Sequence, residues 1–255
     1  MALIKTRGLV LKYVNLNDND RLFTIFTQDM GKITAMSKGI RSHKHKDFAA
    51  LGLYCFCELV LDDSRGLIYI NSAHLKENFY NLRTMLEKTS LVSYFSDLVS
   101  FLSDEISGDD EFFSFILNSI YLIAKANADV EENIKSELLR IKTIFEVKCV
   151  CISGYMPDSI SCAKCNSKDK LVYFDTVAGR AVCQNCFESY FSPEILKCDE
   201  NALKTIAFIC HSDYKSVFSF KVSPDCIKSA NEISERYLVN KLEYLSPALE
   251  YYKSL

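Results

Sequence analysis

From residue 3 to residue 75, apolar and β-branched residues recur in short runs separated by turn formers. The runs are 3–14, 21–27, 32–38, 51–61 and 67–75. The separators are Asn15-Leu-Asn-Asp-Asn-Asp20, Gln28-Asp-Met-Gly31 and Asp62-Asp-Ser-Arg-Gly66. In the fourth run Leu53, Cys55, Cys57, Leu59 and Leu61 alternate onto one face, the pattern of a half-buried strand. Five short strands with no long helix among them predict a small closed barrel over residues 1–77. The five-stranded OB-type Greek key is the leading candidate, and an SH3-like barrel is the alternative.

After residue 77 the period changes to three and four. Leu91, Tyr94, Phe95, Leu98, Phe101 and Leu102 predict one helix face. Residues 111–126 are apolar nearly all round and predict a central buried helix, with Ser107-Gly-Asp-Asp110 offering its N-cap. Ile134, Leu138, Ile141, Phe145, Cys149 and Ile152 form a third stripe that stops before Gly154 and Pro157. A further helix follows Asp199, and 224–241 opens with Pro at the first helical position. The reading is an α+β protein: a barrel (1–77), a helical domain (78–157 and 191–255), and a small insertion at 158–190.

Composition narrows the class. The 255 residues are 49% hydrophobic and 25% charged, a globular balance. No apolar run approaches the ~18 residues of a spanning helix. The N-terminus lacks the long apolar core of a secretory signal, so a cytoplasmic location is expected. Net charge is −3, but it is unevenly spread. Residues 1–46 carry nine Lys/Arg against Asp18, Asp20 and Asp29, a net of +6, which leaves −9 for the rest. A basic head on an acidic body suits local binding of a polyanion.

Eleven cysteines in a reducing compartment point to metal rather than disulfides. Cys162-Ala-Lys-Cys165 and Cys183-Gln-Asn-Cys186 stand seventeen residues apart, within the spacing of a tetrahedral zinc site. Two tight turns can aim two thiolates each at one ion. The intervening Leu171–Phe174 and Ala181-Val182 read as a hairpin, so the insertion is expected to be a zinc ribbon holding one structural Zn²⁺. Four sulfurs leave no open position for water or substrate. The other seven cysteines are expected to be small buried hydrophobes.

No HExxH, GxSxG, Walker-type or GxGxxG motif occurs. His43 and His45 sit in a basic loop, and the acidic pairs fall at turns or helix starts. A binding protein is therefore favoured over an enzyme. The loop itself, Lys38-Gly-Ile-Arg41 running into Lys44 and Lys46, suits phosphate contacts at a barrel rim. Lys32, Lys38, Arg41, Lys44 and Lys46 are the candidate nucleic-acid contacts, with Tyr13, Phe48 and Tyr69 as candidate stacking platforms.

The order of barrel, helical domain and interrupting four-cysteine module resembles the bacterial RecO family of recombination mediators in DNA repair. The matching segments are Gly8-Leu-Val-Leu-Lys12, Asp20–Thr27, Gly31-Lys32, Ser37-Lys-Gly-Ile-Arg41, Phe145-Glu-Val-Lys148 leading to Gly154-Tyr-Met-Pro157, the two CxxC pairs, and Phe174-Asp175. The chain departs from the family at Gly179-Arg180, where a double glycine is frequent, and at Asn166, commonly Gly. The resemblance implies binding of single- and double-stranded DNA and annealing of complementary strands. It also implies action with RecR to replace single-strand-binding protein by RecA, and capture of the acidic tail of single-strand-binding protein. Lys148 matches a basic position and is the expected tail contact. A zinc-ribbon nuclease with scattered carboxylates, or a protein-interaction scaffold, is the alternative.

Overall fold

A computed structural model describes residues 3–63, 66–103, 106, 108–127 and 131–255. The chain forms two compact units. The first is Met1–Lys125 with Ser246–Leu255, and the second is Ala126–Leu245.

The first unit is built on a closed five-stranded barrel: β1 (Leu3–Asn15), β2 (Arg21–Thr27), β3 (Gly31–Ser37), β4 (Phe56–Asp62) and β5 (Ile68–Glu77). The order β1-β2-β3-β5-β4 closes because β1 pairs with two neighbours. Gly8–Asn15 lie antiparallel to β2, and Leu3–Leu9 lie antiparallel to β4. The β3–β5 seam is parallel, and the whole is an OB-type connection of five strands. Val10, Phe23, Ile25, Ala35, Cys57, Leu59 and Leu61 fill the interior, and Ile40, Ala50 and Leu51 from the segment after β3 join the same core. The fourth strand starts at Phe56, later than its apolar run begins. Tyr54 has φ 63°, which breaks the strand before Cys55, while the Tyr54 N–H and Cys55 C=O pair with Val10.

Three helices complete this unit: α1 (Leu86–Phe101), α2 (Asp110–Lys125) and α6 (Pro247–Lys253). Leu91, Tyr94, Phe95 and Leu98 are buried as the stripe predicts. Phe101 is a correction, being 44% exposed: the helix ends there and Leu102 takes the inward place. Helix α2 also differs from the expected central helix. Phe112, Phe113, Phe115, Ile116, Ile120 and Ile123 are buried, but Tyr121 faces solvent. The helix lies against the outside of the barrel, with the Phe113 ring 5.8 Å from Phe26 and 6.1 Å from Phe56. Asp109 is its cap, its carboxylate accepting from the Phe112 N–H at 2.8 Å; Ser107 lies outside the described residues. Ser246 caps α6 and donates to Asp97 of α1 at 2.6 Å.

The second unit packs α3 (Glu131–Ile152) with α4 (Glu200–His211) and α5 (Pro224–Leu242). Ile134, Leu138, Ile141, Phe145 and Cys149 are buried. Asp199 and Ser223 cap α4 and α5 through side-chain oxygens. The insertion forms a sheet ordered β6-β8-β7-β9 from β6 (Asp158–Cys162), β7 (Leu171–Asp175), β8 (Arg180–Cys183) and β9 (Ile195–Lys197). Strand β9 falls in the stretch read from sequence as helical. It is only three residues, too short to show a period.

A buried ionic cluster ties α3 to α5. The Lys142 ammonium meets Glu146 at 2.7 Å and Glu235 at 2.8 Å, with the Lys142 and Glu146 side chains no more than 1% exposed. Ser234 and Asn231 donate to the other Glu146 oxygen. Burial pushes the Glu146 carboxyl up, and Lys142 opposes it. Removing one partner leaves buried charge uncompensated, so Lys142→Ala is expected to destabilise this unit by about 3–5 kcal/mol in denaturant titration. A loss under ~1 kcal/mol would show the cluster to be dispensable.

Candidate functional site

The four CxxC cysteines converge. Their sulfurs all lie within 4.8 Å of one another, and those of Cys165 and Cys183 are 3.7 Å apart. A tetrahedral zinc with Zn–S bonds of ~2.3 Å would place its sulfurs ~3.8 Å apart, so the cluster has the size of such a shell. Local backbone explains the convergence. Cys162 ends β6 and Cys183 ends β8, and these strands are paired. Each then turns, with Asn166 N–H bonded to Cys162 C=O and Cys186 N–H to Cys183 C=O. Asn166 adopts φ 57°, a conformation Asn tolerates, so this departure from the family pattern keeps the turn. Burial opposes ionisation of Cys162, but backbone N–H groups from Cys183, Cys165 and Lys164 outweigh it and bring the thiol down to about 6. Hydrogen bonding among the crowded sulfurs pushes Cys186 up to about 12. Four converging thiols, one of them held by backbone N–H donors, can bind a metal ion. At Gly179, φ is +74° and a Cβ would stand 2.4 Å from the Tyr237 hydroxyl, so the turn between β7 and β8 needs glycine there. At Arg180, where the family often has a second glycine, the guanidinium reaches Asp158 at 3.4 Å.

The basic residues of the barrel divide into three groups. Lys38 and Arg41 lie where the segment after β3 meets the loop joining β1 to β2. The Lys38 ammonium stands 5.2 Å from the centre of the Tyr69 ring. The Arg41 guanidinium donates to the Asn17 carbonyl, and its N–H bonds the Asn19 carbonyl at 3.0 Å. Lys44 follows, exposed. Lys46 instead lines an open groove of about 770 Å³ on the β1–β4–β5 side with Lys5, Arg7, Asp29, Glu58 and His74. Lys32 is apart from both, donating 2.7 Å to the Ser100 carbonyl at the end of α1. The five expected contacts therefore do not form one patch.

Asp20 organises the first group. Its carboxylate accepts from Asn17 at 3.0 Å and from the Gly39 N–H at 2.8 Å. Gly39 has φ +68°, which lets the chain turn back onto this acceptor. Arg21 belongs here and was not singled out in the sequence. Its guanidinium lies 4.3 Å over the Tyr13 ring, with Nε on the Asn15 side chain at 3.0 Å. The only sequence hint was its place beside Asp20 in a matching segment. Of the aromatic candidates, Phe48 packs on the barrel core and on His43, Tyr13 leans on Phe23, and Tyr69 is half-exposed.

Lys148 requires a correction. It is 5% exposed, and its ammonium donates to the Ser212 carbonyl at 2.6 Å and the Cys210 carbonyl at 3.3 Å. It closes the C-terminal end of α4, where carbonyls lack helical partners, and desolvation lowers its pKa. It does not present a free cation to a partner.

The family profile described as "Recombination protein O N terminal" matches residues 1–79, and "Recombination protein O C terminal" matches residues 83–246. The chain is similar to the DNA repair protein RecO of Acetivibrio thermocellus, 32% identical over all of this chain and 98% of that protein. It is similar to that of Caldicellulosiruptor bescii at 30%, covering 96% of this chain and 91% of the relative. For that of Caldanaerobacter subterraneus the identity is 28%, covering 95% and 94%.

The Asp20 tie gives a test. Asp20→Ala should speed amide hydrogen exchange at Gly39 and Arg41 while exchange in β2 is unchanged. Protonation should act likewise. Asn17 and Gly39 lower the carboxyl from its ordinary 3.8, so the tie is complete above that value and is lost as pH falls through the lowered pKa. Unchanged exchange in the variant would contradict the assignment.

Proposed function

Because the chain belongs to the recombination protein O family of DNA repair proteins, we propose that it is a non-enzymatic recombination mediator. It binds DNA on its barrel, anneals complementary single strands and, with RecR, helps RecA replace single-strand-binding protein. The observation that carries this reading is the cluster of Arg21, Lys38 and Arg41 around the loop joining β1 and β2, with exposed Lys44 in the segment that follows. In OB barrels that loop and the β2–β3 face hold oligonucleotides. Cations there meet phosphates by releasing counterions, with no sequence preference. Protein partners, RecR and the tail of single-strand-binding protein, are assigned to the rest of the surface without Lys148. Among the described residues no helix is long and apolar enough to cross a membrane; a cytoplasmic site of action follows from the DNA substrate.

In this reading the sulfur cluster holds one Zn²⁺ through Cys162, Cys165, Cys183 and Cys186. When bound, the ion supplies charge and fixed geometry, and it takes no part in bond making. The ribbon has few buried apolar residues of its own (Leu171, Phe174, Ala181, Val182), so metal binding would contribute directly to its folding.

Annealing of strands coated with single-strand-binding protein is the test of function, run beside labelled DNA with Mg²⁺; annealing without scission supports the mediator, and scission supports a nuclease. Replacing Lys38, Arg41 and Lys44 by Ala should reduce the salt slope of single-strand binding by about 0.7–0.9 per lost phosphate contact. An unchanged slope would remove these residues from the interface. A chelator should release about one zinc per chain and lower the stability of the cysteine-bearing unit; no metal in protein purified without chelator would contradict the zinc assignment.

A further inference from the structure

We propose that the outer face of the barrel selects unpaired DNA by taking its bases on an apolar row formed by Leu22, Met36 and Tyr69, with Val14 at one edge. This deepens the DNA-binding reading and rests on it.

Cross-strand register places the row. Val14 lies opposite Leu22, Leu22 opposite Met36, and Met36 opposite Tyr69. Strand alternation points these four outward, because their neighbours Phe23, Ala35 and Ile70 belong to the barrel core. Val14 is 47% exposed, and Leu22, Met36 and Tyr69 are half-buried. Four apolar side chains in register on solvent-facing strand positions depart from the usual polar-out pattern. Farther along the same outward face the row is covered. There Phe26 packs on Phe113 of α2, and Lys32 bonds the end of α1. The part beside the β1–β2 loop is exposed at Val14.

Charge complementarity fixes the occupant. Exposed Lys12 stands on the same face, opposite Thr24. Lys38 sits over Tyr69, and Arg21 and Arg41 lie at the loop. The carboxylate of Asp20 in that loop is engaged by Asn17 and Gly39. At the far end, Asp62 of β4 lies opposite Tyr69. A strand whose phosphates follow the Lys38 and Arg41 side, with Lys12 across the row, lays its bases over Leu22, Met36 and Tyr69. Every base has a π-face, so such contact is sequence-tolerant. A duplex keeps its bases stacked inside and can use only the cations.

The chain has no tryptophan, so Tyr69→Trp carries a single reporter. Its fluorescence is measured in the full chain with oligo-dT, an abasic strand of equal length, and a duplex. Quenching by oligo-dT but not by the abasic strand or the duplex is expected. Tyr69→Ala should weaken oligo-dT binding roughly 5-fold or more while abasic-strand affinity and the salt slope stay unchanged. Tyr69→Phe, which keeps the ring, should bind as the parent does. Equal affinity and equal quenching for dT and abasic strands would overturn the base-contact proposal while leaving phosphate binding intact. Quenching by the duplex as strong as by oligo-dT would overturn it too, and binding of none of the three would overturn both readings.

Discussion

The double pairing of β1 is the constraint on which the proposed DNA-binding surface depends. One thirteen-residue strand pairs with β4 along its first half and with β2 along its second, sharing Gly8 and Leu9 between the two ladders. A barrel without sheet edges can form only if the strand bends there. Gly8 allows it: a Cβ at this position would stand 2.6 Å from Ile25 Cγ2. The register shift between Val10 and Lys12 adds local twist. Closure sets which residues share a row, and so turns Leu22, Met36 and Tyr69 into neighbours although they are far apart in sequence.

The cation cluster is a consequence of that closure and of short-range hydrogen bonding. A loop bearing Lys38, Arg41 and Lys44 would sample many conformations if it were held only by its ends. Asp20, Asn17 and Asn19 anchor its first turn through Gly39 and Arg41. Ile40, Ala50 and Leu51 hold the remainder by burial. The two kinds of restraint divide the work: apolar residues fix where the segment crosses the barrel, and polar residues fix which way its cations point.

Much of this was legible from residue order. Turn formers and two-residue periodicity located β1, β2, β3 and β5 closely, and spacing alone assembled the four cysteines, because i, i+3 pairs on tight turns need no long-range information. What was missed is long-range. Lys148 looks like a surface cation by type, yet its burial is decided by where the α4 carbonyls end. Lys32, Lys38 and Lys46 are grouped in sequence as candidate contacts but separate because the strand carries Lys32 to the α1 end and the following segment carries Lys46 to another groove. Phe101 fits a helical stripe but lies where the helix stops. Strand β9 shows no pattern because three residues cannot show one.

The central claim is that unpaired DNA lies along the β2–β3 face beside the β1–β2 loop. Cross-linking of a photoreactive thymidine strand to the full chain, mapped by mass spectrometry, tests it most directly. The account predicts adducts on Tyr69, Met36 and the Lys38–Arg41 segment. Adducts concentrated instead on Lys5, Arg7 and His74, or in the unit that carries the cysteines, would contradict it.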